Sequence, residues 1–120
     1  MSNISESLSE LMSIDGAVAC ALVDYQSGMA LGVAGNTDAL NLEVAAAGNS
    51  EVIKSKNKVM ANLGIQDEIE DILITLGKQY HLLRLSKKHN NLFIYLVTSK
   101  SGNLALARHK LSSVESTMVV

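Results

Sequence analysis

The side chains that could carry catalysis or bind a metal are few and stand apart in the sequence. The three histidines are His81, His89 and His109, and the single cysteine is Cys20. None of the histidines stands at a metal-ligand spacing from Cys20, from another histidine or from an acid. His81 alternates within a predicted strand and is interpreted as a structural or rim residue, whereas His89 and His109 fall in polar segments and are expected to be solvated. We therefore predict no metal site.

Nucleophilic and acid–base catalysis are not indicated either. Cys20 lies between alanines in an apolar run without a basic neighbour, whereas a reactive thiolate needs an electropositive, partly exposed site. Four acids cluster between Asp67 and Asp71, just before a predicted strand, where carboxylates more often prevent edge-to-edge aggregation than act in catalytic pairs. We predict a protein that is not an enzyme, with no catalytic residues and no cofactor.

Composition limits the domain organisation and the classes of partner. The 120 residues fit a single domain, and a hydrophobic content of 48% excludes disorder over most of the chain. No run reaches the roughly 18 uncharged apolar residues of a membrane-spanning helix, and the N-terminus lacks the pattern of a secretory signal. A net charge of -2 and an aromatic content of 3% argue against nucleic acid as a partner. We expect a cytoplasmic protein without membrane insertion.

The charges are unevenly distributed along the chain. Residues 1–50 contain six acids and no Lys or Arg, whereas residues 51–120 contain all ten basic residues and six acids. This segregation either places an acidic side of the domain opposite a basic side or steers a charged partner.

Hydrophobic periodicity predicts the element order α-β-β-α-β-β-β-α within one domain spanning residues 1–120, with a core over about 4–114. Apolar residues at helical spacing predict helices over 2–13, 38–63 and 103–114. Apolar runs bounded by turn residues predict strands over 17–24, 29–34, 70–76, 79–86 and 91–98. An α+β fold, a five-stranded antiparallel sheet flanked by helices, satisfies this order economically. Residues 115–120 lack periodicity and are predicted to fray.

The long predicted helix carries two apolar stripes. The first consists of Val44, Ala45, Gly48, Val52, Val59 and Leu63. The second consists of Leu42, Ala46, Ile53 and Met60, with Asn49 at its edge. A helix that packs only on its own sheet needs one stripe, so two stripes indicate a second partner, which we interpret as the same helix of another copy. The alternative is a broad buried face in a thick monomeric core.

The segment from Leu11 to Asp24, LMSIDGAVACALVD, resembles the opening of Roadblock/dynein light-chain domains, in particular the prokaryotic single-domain type. In those domains a first helix leads through a glycine turn into a strand ending in Asp, followed by a glycine-containing hairpin. Asp24 and Gly28 stand at the matching positions. The long second helix and the later strands also match in order and length, so the resemblance covers roughly residues 4–114.

The resemblance implies a profilin-like sandwich that forms a homodimer, or a heterodimer of related chains. In the family, the long helix and the third strand of each subunit pair across a two-fold axis. On this basis the interface is predicted to combine the second stripe of the helix with the centre of strand 70–76. Its predicted residues are Leu42, Ala46, Asn49, Ile53, Met60, Ile72, Leu73 and Ile74.

Two functional hypotheses follow from the sequence. Because members of the resembled family are non-catalytic scaffolds or regulators of small Ras-like GTPases, or adaptors on dynein motors, the first is a homodimeric scaffold that binds a small GTPase or a motor or signalling complex. The alternative is a small-ligand sensor of the profilin-like class, with a pocket between sheet and helices. A flat dimer face favours the scaffold, and a cavity with converging polar groups favours the sensor.

Overall fold

A computed structural model describes residues 2–38 and 40–120, which form a five-stranded antiparallel sheet with helices on both faces. In chain order the elements are α1 (Ile4–Leu11), β1 (Ala17–Asp24), β2 (Met29–Gly35), α2 (Leu42–Asn62), β3 (Asp71–Thr75), β4 (Gln79–Leu85), β5 (Leu92–Ser99) and α3 (Leu104–Thr117). The predicted order and the α+β class are confirmed. Within the described residues no helix combines the length and hydropathy needed to cross a membrane.

The strand order across the sheet is β2-β1-β5-β4-β3, and every neighbouring pair is antiparallel. β5 occupies the centre, and its residues 92–98 are all buried, which explains why this strand is apolar on both faces. β2 and β3 form the two edges. Each of these edge strands pairs on one side only within the described chain, and this arrangement leaves two rows of backbone groups open.

The helices bury two separate apolar clusters against the sheet. α1 and α3 cover one face, where Leu8 and Leu111 pack with Ile94 of β5. α2 covers the other face, where Ala46 and Ile53 contribute to a second cluster built on β1, β4 and β5. Together these clusters fill the space between the sheet and its helix layers.

Small residues in the first hairpin let the helices approach the sheet closely. A Cβ atom added at Gly32 would lie 2.8 Å from Cγ2 of Ile4 and 3.1 Å from Cδ1 of Leu8 in α1. On the other face, a Cβ atom at Gly28 would lie 3.6 Å from Cα of Ala47 in α2. The alanine and glycine residues of β1 and β2 therefore allow a helix to pack closely on each face of the sheet.

α2 is one unbroken helix, but it begins later than predicted. The predicted start over residues 38–41 includes Ala39, which lies outside the described residues. Asn41 is the N-cap, and its Oδ1 accepts hydrogen bonds from the backbone N–H of Glu43 (3.1 Å) and Val44 (3.2 Å). Such a side chain satisfies N–H groups that the first turn leaves free, so the helix begins at Leu42.

The prediction that residues 115–120 fray is wrong for most of this segment. α3 continues to Thr117, and Met118 is fully buried in the cluster beneath α1 and α3. The N–H of Ser2 donates to the carbonyl of Thr117 at 3.1 Å, and the N–H of Val119 donates to the carbonyl of Ser2 at 2.7 Å. The C-terminal segment lacks helical periodicity because its contacts are made with the start of the chain.

Candidate functional site

The chemically reactive side chains are not brought together. Among the described residues, no three His, Cys, Asp or Glu side chains are close enough to hold a metal ion. Cys20 is fully buried, and burial raises the pKa of its thiol to about 12. Such a thiol stays protonated at neutral pH and is a poor nucleophile.

His109 is exposed, as predicted. His89 is half-buried, and its Nε2 lies 3.4 Å from the carbonyl of Met118, which corrects the assignment of His89 as solvated.

Two of the four acids that lie at and just before the start of β3 form surface ion pairs. Asp71 accepts from Nη2 of Arg108 at 2.8 Å and from Nε of the same side chain at 3.1 Å. Glu70 lies 3.8 Å from Nζ of Lys87. Two of the four acids in this segment are thus paired with bases on other elements, an arrangement that suits a solvated rim rather than a catalytic pair of carboxylates.

A chain of polar side chains connects α2 to the sheet. The hydroxyl of Tyr95 lies 2.9 Å from Nδ1 of His81, and Nε2 of His81 lies 3.1 Å from Oε1 of Gln79. Burial raises the pKa of Tyr95, and a hydrogen bond from Asn49 of α2 partly opposes that effect. Because Tyr95 is only 1% exposed, its hydroxyl needs these partners. Asn49, predicted at the dimer interface, therefore also has a role inside the subunit.

His81 is expected to make the stability of the protein depend on pH. Burial lowers the pKa of His81 below its ordinary value of 6.5. The unfolded chain then binds this proton more readily than the folded chain, so the free energy of unfolding should fall as the pH drops below about 6.5. Urea denaturation at about pH 7.5 and about pH 5.5 measures the decrease.

Two histidine variants separate this effect from the titration of other groups. His81→Gln should make the pH dependence shallower, whereas His109→Gln, at an exposed position, should leave it as in the wild type. An unchanged slope in the His81 variant would contradict the assignment.

The second stripe of α2 lies inside the subunit, which corrects its assignment to a dimer interface. The exposed fractions are 4% for Leu42, 0% for Ala46, 0% for Ile53 and 9% for Met60. The first three belong to the cluster on β1, β4 and β5. The physical reason is steric, because large side chains of this stripe fill the space above the small residues of β1.

The first stripe of α2 faces solvent instead. The exposed fractions are 67% for Val44, 38% for Val52, 45% for Val59 and 68% for Leu63. Between them, a Cβ atom added at Gly48 would meet nothing within 4 Å, so the helix surface is open there. Apolar side chains that form a continuous exposed row are typical of a surface that another protein covers.

The edge of the sheet at β3 adds a second open element. Ile72 and Ile74 lie opposite Leu83 and His81 of β4, on the face that α2 covers, and are half-buried. Leu73 points to the other face and is 36% exposed. We call the exposed stripe of α2 and this strand the α2–β3 surface, and it is the candidate functional site.

Solved structures share this arrangement of helices and strands. MglB from Myxococcus xanthus has a TM-score of 0.81 at 14% identity, covering 94% of this chain and 91% of that chain. A Roadblock/LC7 domain from Streptomyces avermitilis has a TM-score of 0.83 at 12% identity, covering 97% and 94%. This chain has the fold of a Roadblock/LC7 domain. A third Roadblock-fold structure, described as MglB with a tetrameric arrangement, has a TM-score of 0.79 at 15% identity, covering 92% and 81%.

The likeness to Roadblock domains is one of fold. No family model matches the sequence, and comparison with curated proteins finds no significant match. The fold that the segment from Leu11 to Asp24 implied is thus confirmed by structures of 12% to 15% identity.

Sequence reasoning missed one exposed apolar row, on β2. Met29, Leu31 and Val33 are 64%, 46% and 47% exposed, while the small residues between them are half-buried. The available signal was the alternation of large and small side chains in MALGVAG. The small residues do not share one face, because Ala30 packs against the cluster beneath α2 and Ala34 against the cluster beneath α1 and α3. The pairing of β1 with β2 shifts register between them.

Proposed function

We propose that two copies of this chain pair through the α2–β3 surface, and that the dimer is a non-catalytic scaffold or regulator of a small Ras-like GTPase. The observation that carries the proposal is the row of exposed apolar side chains from Val44 to Leu63 on α2. This row needs a partner of matching shape, and a two-fold axis supplies one because the same patch then serves both subunits.

The charges along α2 favour an antiparallel pair of helices. Glu51 lies in the N-terminal half, and Lys54, Lys56 and Lys58 lie in the C-terminal half, all exposed. When two such helices lie antiparallel across a two-fold axis, Glu51 of each lies near the basic half of the other. Parallel packing would instead bring like charges together.

The open edge of β3 fits the same axis. In an antiparallel pair of β3 strands, the free backbone groups of one edge would bond to those of the other, so the sheet would continue into the second subunit. Ile72, Leu73 and Ile74 remain the proposed interface residues of this strand. The tetrameric arrangement of an MglB with this fold supports self-association as a property of the architecture.

The role in GTPase regulation rests on the likeness to Roadblock domains, which are non-catalytic scaffolds or regulators of small Ras-like GTPases, or adaptors on dynein motors. The two arginines fit a scaffold better than a catalytic role. Nε and Nη2 of Arg108 both donate hydrogen bonds to Asp71, and Nε of Arg84 is buried. Regulation would therefore proceed by recognition of one conformation of the GTPase switch regions.

The GTPase assignment is tested by affinity capture and kinetics. The tagged chain is incubated with an extract of its source cells in the presence of GDP or of a non-hydrolysable GTP analogue, and small GTPases are sought among the retained proteins. We expect retention to depend on the nucleotide, and the purified chain to change the rate of GTP hydrolysis or exchange by the captured GTPase. An intact dimer that retains no GTPase with either nucleotide would contradict the proposal.

A further inference from the structure

The edge of the sheet opposite β3 is open and unusually apolar. β2 pairs with β1 on one side only, and Met29, Leu31 and Val33 are each more than 40% exposed. Charged residues and proline are common devices that keep an edge strand from pairing with another chain. β2 contains neither. The backbone of this strand is therefore accessible to another strand, and its exposed apolar side chains are accessible to the side chains of that strand.

The backbone groups of this edge point outward at a defined position. The N–H of Asn36 donates to the carbonyl of Val18 at 2.9 Å, just beyond the paired residues of β1 and β2. In antiparallel pairing, residues alternate between bonding the neighbouring strand and facing away from it. Ala34 therefore bonds β1, and the N–H and C=O of Val33 face away from the sheet.

Two depressions of different character flank this edge. Towards α1 lies a groove of about 600 Å³. The apolar walls of this groove include Ile4, Leu8 and Met12. Towards α2 lies a depression of about 420 Å³ that is bounded by β2 and by Glu43 in the first turn of α2. Both depressions are lined by apolar side chains of β2, and of the two only the one towards α2 also carries a carboxylate.

The charges around β2 select the kind of partner. Glu43 is exposed and forms no ion pair with another described residue. Residues 1–50, which include all of α1, β1 and β2, contain no Lys or Arg. Lys54, a base that reaches the hairpin, already contacts Glu51 at 3.6 Å and the carbonyl of Gln26 at 3.3 Å. A second copy of this edge would bring a second Glu43 and the other acids of its own residues 1–50 nearby, whereas a basic segment would be attracted.

We propose that the β2 edge binds an extended segment of a partner protein in which apolar and basic side chains alternate. In a strand added beside β2, successive side chains point to opposite faces. The apolar ones enter the groove beside α1, the basic ones reach Glu43, and the backbone bonds to Val33. This surface lies at the other edge of the sheet from the α2–β3 surface, so the inference goes beyond the proposed dimer and does not depend on it.

A synthetic strand tests the proposal directly. A fluorescent peptide of about ten residues that alternates Val and Lys is long enough to pair with β2, and its binding to the full chain is followed by fluorescence polarisation. We expect saturable binding that Val33→Pro weakens about three- to tenfold, because proline removes the outward N–H. Circular dichroism and the urea midpoint show whether this variant is folded.

A second pair of variants keeps the test decisive if the proline variant does not fold. Glu43→Gln should weaken binding of the Val–Lys peptide about two- to fivefold. Glu68→Gln, the same charge change in the segment before β3, should leave binding unchanged. Equal binding of a Val–Glu peptide, or equal binding by both glutamine variants, would overturn the proposal. A reduction in the mass of the wild-type assembly by Val33→Pro would also overturn the proposal, because that result would assign β2 to an interface with a second copy of the chain.

Discussion

Val52→Asp is expected to convert the dimer into a folded monomer. Val52 is 38% exposed on the first stripe of α2, so an aspartate there stays hydrated in the free subunit and changes its stability by only about 0.5 kcal/mol. In the proposed dimer the two-fold axis buries this carboxylate twice without a partner, which costs several kcal/mol. Dimer affinity should fall at least about a hundredfold, measured by sedimentation velocity at micromolar concentrations.

A matched substitution on another helix controls for the change of residue type. Leu106 of α3 is 65% exposed and lies outside the α2–β3 surface, so Leu106→Asp should leave the sedimenting mass unchanged. A wild-type chain that sediments as a monomer would contradict the dimer. Equal masses for the wild type and Val52→Asp would show that this stripe does not form the interface.

Ile53→Asp, one residue further along the helix, is expected to unfold the subunit instead. Ile53 is fully buried and belongs to the same cluster as Leu83 and Phe93. The substitution removes apolar contacts and places a carboxylate where no partner is available, at a cost of about 4 kcal/mol or more. Since small domains are stable by only about 5–15 kcal/mol, circular dichroism and urea denaturation should show a large loss of structure or stability.

Ile53→Val provides the conservative comparison at the same position. It removes one methylene group and should cost about 1 kcal/mol, leaving the fold and the sedimenting mass intact. A folded, monomeric Ile53→Asp variant of wild-type stability would instead show that Ile53 lies at the interface between subunits.

The order of elements could be predicted from the sequence because each element has its own local pattern of residues. Apolar spacing marks α2 as a single helix, and turn residues such as Gly28 separate the strands. The roles of the two helix stripes were not readable, since both are apolar. What decides them is the fit of Leu42 and Ile53 over the small side chains of Ala19 and Ala21, a relation between segments distant in sequence.

Other features depended on contacts between distant parts of the chain. The burial of Met118 requires the first residues of the chain, which pair with the C-terminal segment through Ser2. The exposure of Leu31 and Val33 follows from the place of β2 at an edge. Local periodicity does not reveal strand order, so the sequence could indicate a strand there without indicating an open one.

The placement of β2 and β3 at opposite edges of the sheet bears on how a partner with repeated motifs would engage the proposed dimer. If two β3 strands join, the two β2 strands become the outermost members of one continuous sheet, about nine inter-strand spacings or roughly 43 Å apart. A bivalent ligand gains avidity only when its tether spans that separation. At about 3.3 Å per extended residue, a tether shorter than about a dozen residues would restrict such a ligand to one end at a time.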